Sequence, residues 1–385
     1  MRIAVVTETF LPQVNGVTHS ILRVLEHLQS EGHEALVIAP SAGGEVPREY
    51  AGARVIGLPS VSLPGYAGFR VATSGQFRLE KILTDHAPDV VHLAAPFALG
   101  YKASQVGHRL GLPMVSIYQT EVPTYASRYG VPQFEPVLWR RVRNVHNLAT
   151  RTLAPSSFAA GQLAEQGVER VQLWGRGVDS ERFHPDKYDP QWRARMAPNG
   201  EKIIVYVGRL AAEKQVDDLH VLTDLPNTKL VIIGDGPKRA ELEEFLPHAV
   251  FLGQQTGDAV PTAMASADLF VHTGELETFC QSIQEALASG TPVVAPARGG
   301  PLDLVDPSHT GWLYPPGDLA AMRGHVRDLL GDDFKRKAFG LKGRAAVEHR
   351  TWPYLCSVLM QHYREVIAEV GERAPVPAWP WSLFA

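Results

Sequence analysis

The chain has 385 residues, of which 45% are hydrophobic and 20% charged, with a net charge of −4. That length exceeds one ordinary core and implies two domains, and the composition excludes a disordered or fibrous chain. The charge gives no reason to expect a nucleic-acid partner, and two cysteines, Cys280 and Cys356, are too few for a disulfide framework or a zinc site and fit a reducing cytosol.

The opening Met1-Arg-Ile-Ala-Val-Val-Thr7 reads as a short strand and not as a signal peptide. No apolar run approaches the ~20 residues of a membrane span. The first strand, Arg2–Val6, leads through a polar loop into a helix from about Gly16 to Gln29. Strand, loop and helix in that order form a ligand-binding mouth of an α/β sheet. A single glycine stands there, so the dinucleotide fingerprint is absent. Gly16 either lets a phosphate approach the backbone or simply begins the helix.

Strands follow at Glu34–Ile38 and Arg54–Leu58. The loop 59–70 is rich in Pro and Gly and carries Tyr66, Phe69 and Arg70, as a binding loop or a plain connector. Further strands at Asp89–Leu93 and Met114–Ile117 alternate with helices near 75–86 and 97–110. The last of these strands ends in Tyr118-Gln-Thr-Glu121, at the edge where open α/β sheets bind ligands. Residues 135–148 predict an amphipathic helix, with Arg140, Arg141 and Arg143 opposite Leu138, Val142, Val145 and Leu148. It reads either as a core-packed helix with a solvated basic side or as a contact for an anionic membrane surface. A strand at Thr152–Ala154, a helix capped by Ser156 or Ser157, and a strand near Val171–Leu173 close the half.

Residues 185–200 gain Pro and Gly and lose apolar rhythm, which predicts a linker. The βα alternation restarts with strands Ile203–Val207, Lys229–Ile233, Val250–Leu252 and Asp268–Thr273. A helix from about Glu213 follows the first of them. Two such halves imply an α/β protein with two mostly parallel sheets facing across a small-molecule cleft. The expected divisions are 1–184, a linker 185–200, and a second domain 201–360.

The stretch Glu275-Leu-Glu-Thr-Phe-Cys-Gln-Ser-Ile-Gln-Glu285 places Glu277 before a helix of about 279–289 and Glu285 inside it. Gly290 and Pro292 end that helix. Taken alone, two such glutamates are commonly solvated helix residues. Gly208-Arg-Leu-Ala-Ala-Glu-Lys214, at the same edge of the same sheet, brings Arg209 and Lys214 within reach of one anion. Together they suggest a sugar nucleotide, with sugar at Glu277, diphosphate at the helix start and ribose at Glu285. Gly234-Asp-Gly-Pro237 adds a tight turn there.

Gly208-Arg209, Glu213-Lys214, Gly234-Asp-Gly-Pro237, Glu277-x7-Glu285-Ala286, Ser289-Gly-Thr-Pro-Val-Val294, Gly299-Gly300 and Gly311…Pro316-x-Asp318 stand in an order that resembles retaining family-4 glycosyltransferases of GT-B fold. The likeness covers nearly the whole chain. Thr7-Glu-Thr-Phe-Leu-Pro12 and Asn15-Gly-Val17 are similar to the lipid-glycosylating subgroup. Within it the chain resembles actinobacterial GDP-mannose-dependent α-mannosyltransferases acting on glycolipids, and relatives that make phosphatidylinositol mannosides or sulfoquinovosyl-diacylglycerol.

The resemblance implies that Arg209 and Lys214 bind the donor diphosphate, Glu285 the ribose and Glu277 the sugar. Thr278, Phe279, Cys280 and Gln281 would line sugar and phosphate, and Gly16 would close over the phosphates. An acceptor region is expected at His19, Tyr66, Arg70, Tyr118, Gln119, Thr120 and Glu121. No metal and no other cofactor is implied beyond the nucleotide-sugar co-substrate. A segment 361–385 would cross back to the first domain, with Trp379, Trp381 and Phe384 docking there. The implied partners are a lipid or glycolipid acceptor and the anionic cytoplasmic face of the plasma membrane; the oligomeric state is open.

Two positions depart from the family pattern. Gln119-Thr-Glu121 replaces His-Thr-Asp or His-Thr-Asn, so no histidine-catalysed step carries over. Cys280 replaces the glycine of E-x-F-G and reads as a small packing residue before a reactive thiol. The alternatives are a UDP-sugar donor, a nucleotide-sugar epimerase of the same fold, and a non-catalytic sugar-nucleotide-binding module.

Overall fold

The computed structural model describes residues 1–13, 15–41, 46–62, 70–94, 96–121, 123–124 and 132–373. In the first half, strands β1 (Arg2–Thr7), β2 (Glu34–Pro40), β3 (Glu49–Tyr50), β4 (Ala53–Leu58), β5 (Ser60–Ser62), β6 (Arg70–Ala72), β7 (Val90–Ala94), β8 (Met114–Ile117), β9 (Arg151–Ala154) and β10 (Val171–Leu173) alternate with helices α1 (Gly16–Ser30), α2 (Gln76–His86), α3 (Leu99–Arg109), α4 (Glu135–Leu148) and α5 (Ser157–Glu165). An eight-stranded sheet runs β10-β9-β8-β7-β1-β2-β4-β3, and β5-β6 form a separate hairpin. All its pairings are parallel except the edge pair β3–β4.

The second half carries β11 (Lys202–Val207), β12 (Thr228–Ile233), β13 (Val250–Gly253), β14 (Leu269–Val271), β15 (Val293–Pro296) and β16 (Gly311–Tyr314). Its helices are α6 (Pro190–Met196), α7 (Arg239–Phe245), α8 (Ala259–Ser266), α9 (Gln281–Ala288), α10 (Pro301–Leu304), α11 (Leu319–Gly331), α12 (Asp333–Val347) and α13 (Trp352–Arg373). The sheet order β13-β12-β11-β14-β15-β16 is wholly parallel.

Both sheets are covered on two faces, which is why their strands are continuous apolar runs. Along β11, Ile203 and Val205 enter one core while Ile204 and Tyr206 enter the other. In the first domain Ile3 and Val5 face one core, Ala4 and Val6 the opposite one. The strand order reverses at β1/β7 and at β11/β14, and crevices open beyond the carboxyl ends there.

The segment 185–200 is not a free linker. It forms a 3-10 turn at Pro185–Lys187 and then α6, and Trp192 packs with Phe183 and Val178 in the second domain's core. The apolar rhythm is lost because one large aromatic, rather than a periodic stripe, anchors the segment. The return to the first domain begins before 361. Trp352, Cys356, Leu359, Met360, Tyr363 and Val366 of α13 all enter the core that contains β1. Trp379, Trp381 and Phe384 lie outside the described residues.

Candidate functional site

Beyond β11 the chain turns at Gly208 and runs to Lys214. This loop is held by backbone contacts that leave no room for a Cβ on its partners. A Cβ on Gly234 would lie 1.9 Å from Gly208 O, and one on Gly236 2.3 Å from Leu210 O. The Leu210 amide donates to Asp235 O at 2.9 Å and the Lys238 amide to Leu210 O at 3.0 Å. The GDGP turn is therefore a clamp on the loop that carries Arg209.

The loop after β14 is built the same way. Gly300 donates its N–H to Glu277 O at 2.8 Å. A Cβ on Gly300 would lie 2.0 Å from Phe279 O, and one on Gly299 2.3 Å from Glu277 O. Thr273 Oγ1 donates to Lys214 O at 2.8 Å and joins the two loops.

At their meeting point Lys214 Nζ donates to Glu277 Oε1 at 2.5 Å. His272, on the end of β14, brings Nε2 to 3.1 Å from the same oxygen. The Tyr206 ring lies parallel to the His272 imidazole, with centroids 6.2 Å apart. Burial alone would raise the Glu277 carboxyl, but Lys214 and His272 hold it down at about 2. It is thus an ionised acceptor at the cleft floor. Burial favours neutral His272, yet Cys280 and Glu277 beside it raise its pKa above the ordinary value.

The helix α9 starts later than the sequence suggests, at Gln281, because Cys280 takes a left-handed conformation with φ +72°. No side chain caps its first turn, so its leading N–H groups face the crevice. Glu285 is half-buried one turn on, and burial pushes its carboxyl up to about 7 against Gln281 and Arg182. Arg209 is 56% exposed at the same edge, with Glu213 at 3.8 Å. Lys214 and Glu277 are brought together directly; Arg209 and Glu285 flank them.

The first domain meets this edge. Thr278 Oγ1 donates to Gln119 O at 3.0 Å, and Gln119 Oε1 accepts from Arg176 at 3.0 Å. Arg176 also lies over Gly16, where a Cβ would sit 2.9 Å from its Nη1. Gln281 and Gln284 of α9 donate to the carbonyls of Gly177 and Arg176. Arg176 and His272 were missed by the sequence reading. Their signal was position: each is a polar residue just past the carboxyl end of a strand.

Among the acceptor candidates, Glu121 is buried, accepts from Gln162 at 2.8 Å, and is raised in pKa by burial. Tyr118 is buried and stacked on Trp139, so it supports the wall instead of lining it. Thr120 is half-buried beside them. His19 packs edge-on against Trp352, and burial with nearby Arg23 and Arg176 lowers it to about 4, so it is neutral. Arg70 is spent within its own hairpin: it donates to Ser60 Oγ, Ser60 O and Ser62 Oγ. Tyr66 lies outside the described residues. On α4, Arg140 and Arg143 are exposed, but Arg141 lies 3.5 Å over the Tyr101 ring and belongs to the packing.

Two Rossmann-type sheets facing each other, with a cationic loop, an uncapped helix start and an ionised carboxylate at the second switch point, define a sugar-nucleotide enzyme of the GT-B class. The family description "Glycosyltransferase Family 4" matches residues 14–182, and "Glycosyl transferases group 1" matches residues 189–346. A GDP-mannose-dependent alpha-mannosyltransferase of Mycobacterium tuberculosis is 46% identical, over 95% of this chain and 97% of its own. Sulfoquinovosyl transferase SQD2 of Arabidopsis thaliana is 33% identical, over 88% of this chain and 68% of its own. The crystal structure of Anabaena HepE in complex with UDP shares the fold with a TM-score of 0.77 at 17% identity, covering 95% of this chain and all of that one. The chain belongs to the family-4 glycosyltransferases.

Proposed function

We propose that the protein is a retaining α-mannosyltransferase that moves mannose from GDP-mannose to a membrane glycolipid of the glycosyl-diacylglycerol or phosphatidylinositol mannoside type. The observation that carries the reading is the Lys214–Glu277 pair at the β11/β14 switch point, in a chain 46% identical to a GDP-mannose-dependent enzyme. Glu277, held ionised, accepts hydroxyls of the donor sugar. Arg209, Lys214 and the N–H groups of α9 stabilise the diphosphate as the glycosidic C–O bond breaks. The acceptor hydroxyl attacks on the face the diphosphate leaves, and its proton passes to a departing phosphate oxygen. Gln119 takes no part as acid or base, since an amide does not titrate near neutrality. The cations supply the charge neutralisation that a divalent metal supplies elsewhere, so transfer in chelator is expected to match transfer without it.

Exposed Arg140 and Arg143, beside Phe134 and Val137 at 53% and 61% exposure, support a peripheral contact of α4 with an anionic cytoplasmic leaflet. Among the described residues no helix is long and apolar enough to cross a membrane.

The deciding experiment offers GDP- and UDP-sugars with a membrane lipid extract and follows nucleotide release and lipid product. GDP-mannose turnover into lipid supports the reading. Use of UDP-glucose or UDP-sulfoquinovose with none of GDP-mannose would overturn the donor assignment. A donor that binds and never turns over would indicate a binding module.

A further inference from the structure

The transfer chemistry uses Glu277 but neither His272 nor the Cys280 thiol. A ring nitrogen of His272, a carboxylate oxygen of Glu277 and Cys280 Sγ all lie within 4.8 Å of one another. They converge from three places: the end of β14, the loop behind it and the start of α9. His272 is 2% exposed and Cys280 5%. Neither His272 ring nitrogen has a well-aligned hydrogen bond, although both are buried; the approach to Glu277 is a charge contact. An unaligned, buried imidazole beside a thiol is a ligand set in search of a cation.

We propose that His272, Glu277 and Cys280 form a binding site for a thiophilic divalent cation, zinc above all, and that its occupation shuts the donor site. One nitrogen, one oxygen and one sulfur are the ligands zinc takes, with a fourth tetrahedral position left for water. Neighbouring ligands around zinc stand about 3.5 Å apart, so the three atoms need close by only about 1 Å. The stacked Tyr206 ring fixes the plane of the imidazole. This mixed set departs from the expectation that two cysteines are too few for a zinc site, because it needs only one of them.

On binding, the metal–sulfur and metal–nitrogen bonds form, and both the Cys280 thiol proton and the proton of the His272 imidazolium go to solvent. The cation also displaces the Lys214 ammonium from Glu277 Oε1, where it now sits at 2.5 Å. Lys214 and the metal are thus direct competitors. The block on the donor rests on the proposed function; the binding does not.

The test titrates metal-free protein with Co2+ and follows the thiolate-to-cobalt charge-transfer absorption, then displaces it with Zn2+. One cobalt per chain is expected. Cys280→Ser and His272→Ala should each weaken binding about 10–100-fold or more. Lys214→Met should tighten it by about tenfold, a change that adventitious surface binding would not show. A cobalt spectrum untouched by Cys280→Ser, or an affinity unmoved by Lys214→Met, would overturn the site. If His272→Ala does not fold, those two variants still decide. A separate titration measures GDP-mannose binding with and without Zn2+. Loss of donor affinity with zinc is expected; unchanged affinity with zinc bound would overturn the block while leaving the metal site standing.

Discussion

Glu277 is ionised in spite of its burial because two cationic partners surround one oxygen, and this sets what its replacement does. Lys214→Ala and Glu277→Ala are each expected to lower kcat by about 10²–10³-fold, the scale of losing one preorganised charge contact. Circular dichroism should show both folded; near-native turnover in either would remove the pair from the mechanism. Glu285 behaves in the opposite way. Burial raises its pKa from 4.5 to about 7, so under the proposed function it would accept from the ribose hydroxyls above that pH and lose this capacity below it. Donor affinity should therefore fall as pH drops through 7, and Glu285→Gln should flatten the profile, both measurable by calorimetric titration. The same shift makes its carboxylate a cost to the donor-free fold, so stability is lost as pH rises from about 4.5 to about 7. The convergence of Lys214 and Glu277 was legible because each stands just past a strand end on the same sheet edge. The contact of His272 with Cys280 was not, since it depends on a left-handed turn at Cys280 that residue type does not announce.

At the scale of elements, glycine-backed loops hold the site in place. Gly300→Ala drives a methyl into Phe279 O and must push the Glu277–Phe279 segment outward. It should destabilise by about 1–3 kcal/mol and weaken donor binding with it. Gly324→Ala, on the exposed face of α11 with nothing within 4 Å, should stabilise by about 0.5–1 kcal/mol and leave binding alone. Urea denaturation of the two variants gives opposite signs if the clamp is real. On α4, replacing exposed Arg140 and Arg143 by Gln should weaken sedimentation with anionic vesicles, with the wild-type contact fading as salt rises. Replacing Arg141 should instead lower the Tm through its lost contact with Tyr101. Strands were readable because two-sided burial makes them unbroken apolar runs. The helix expected from Glu213 was not: Gln215 at φ +48° splits the region into two 3-10 turns. The segment 185–200 misled for a related reason, since Trp192 fastens it without any periodic pattern.

For the whole molecule, α13 decides which parts of the chain depend on which. Tyr363 is fully buried in the first domain's core, and its hydroxyl meets His92 Nδ1 at 2.5 Å. Tyr363→Ala should cost about 3–5 kcal/mol, while Tyr354→Ala, 56% exposed on the same helix, should stay within about 0.5 kcal/mol; urea midpoints report both. The βα alternation made the division into two sheets legible, but alternation says nothing about which sheet a late helix joins. That placement has a consequence in time. Ile3 and Val5 share a core with residues 352–366, so a nascent first domain leaves the ribosome with one wall missing. At typical elongation rates the roughly 190 residues between 184 and 373 take about 10–40 s to synthesise. Throughout that interval an apolar groove waits for its cover, and chaperone occupancy of the growing chain should be highest there.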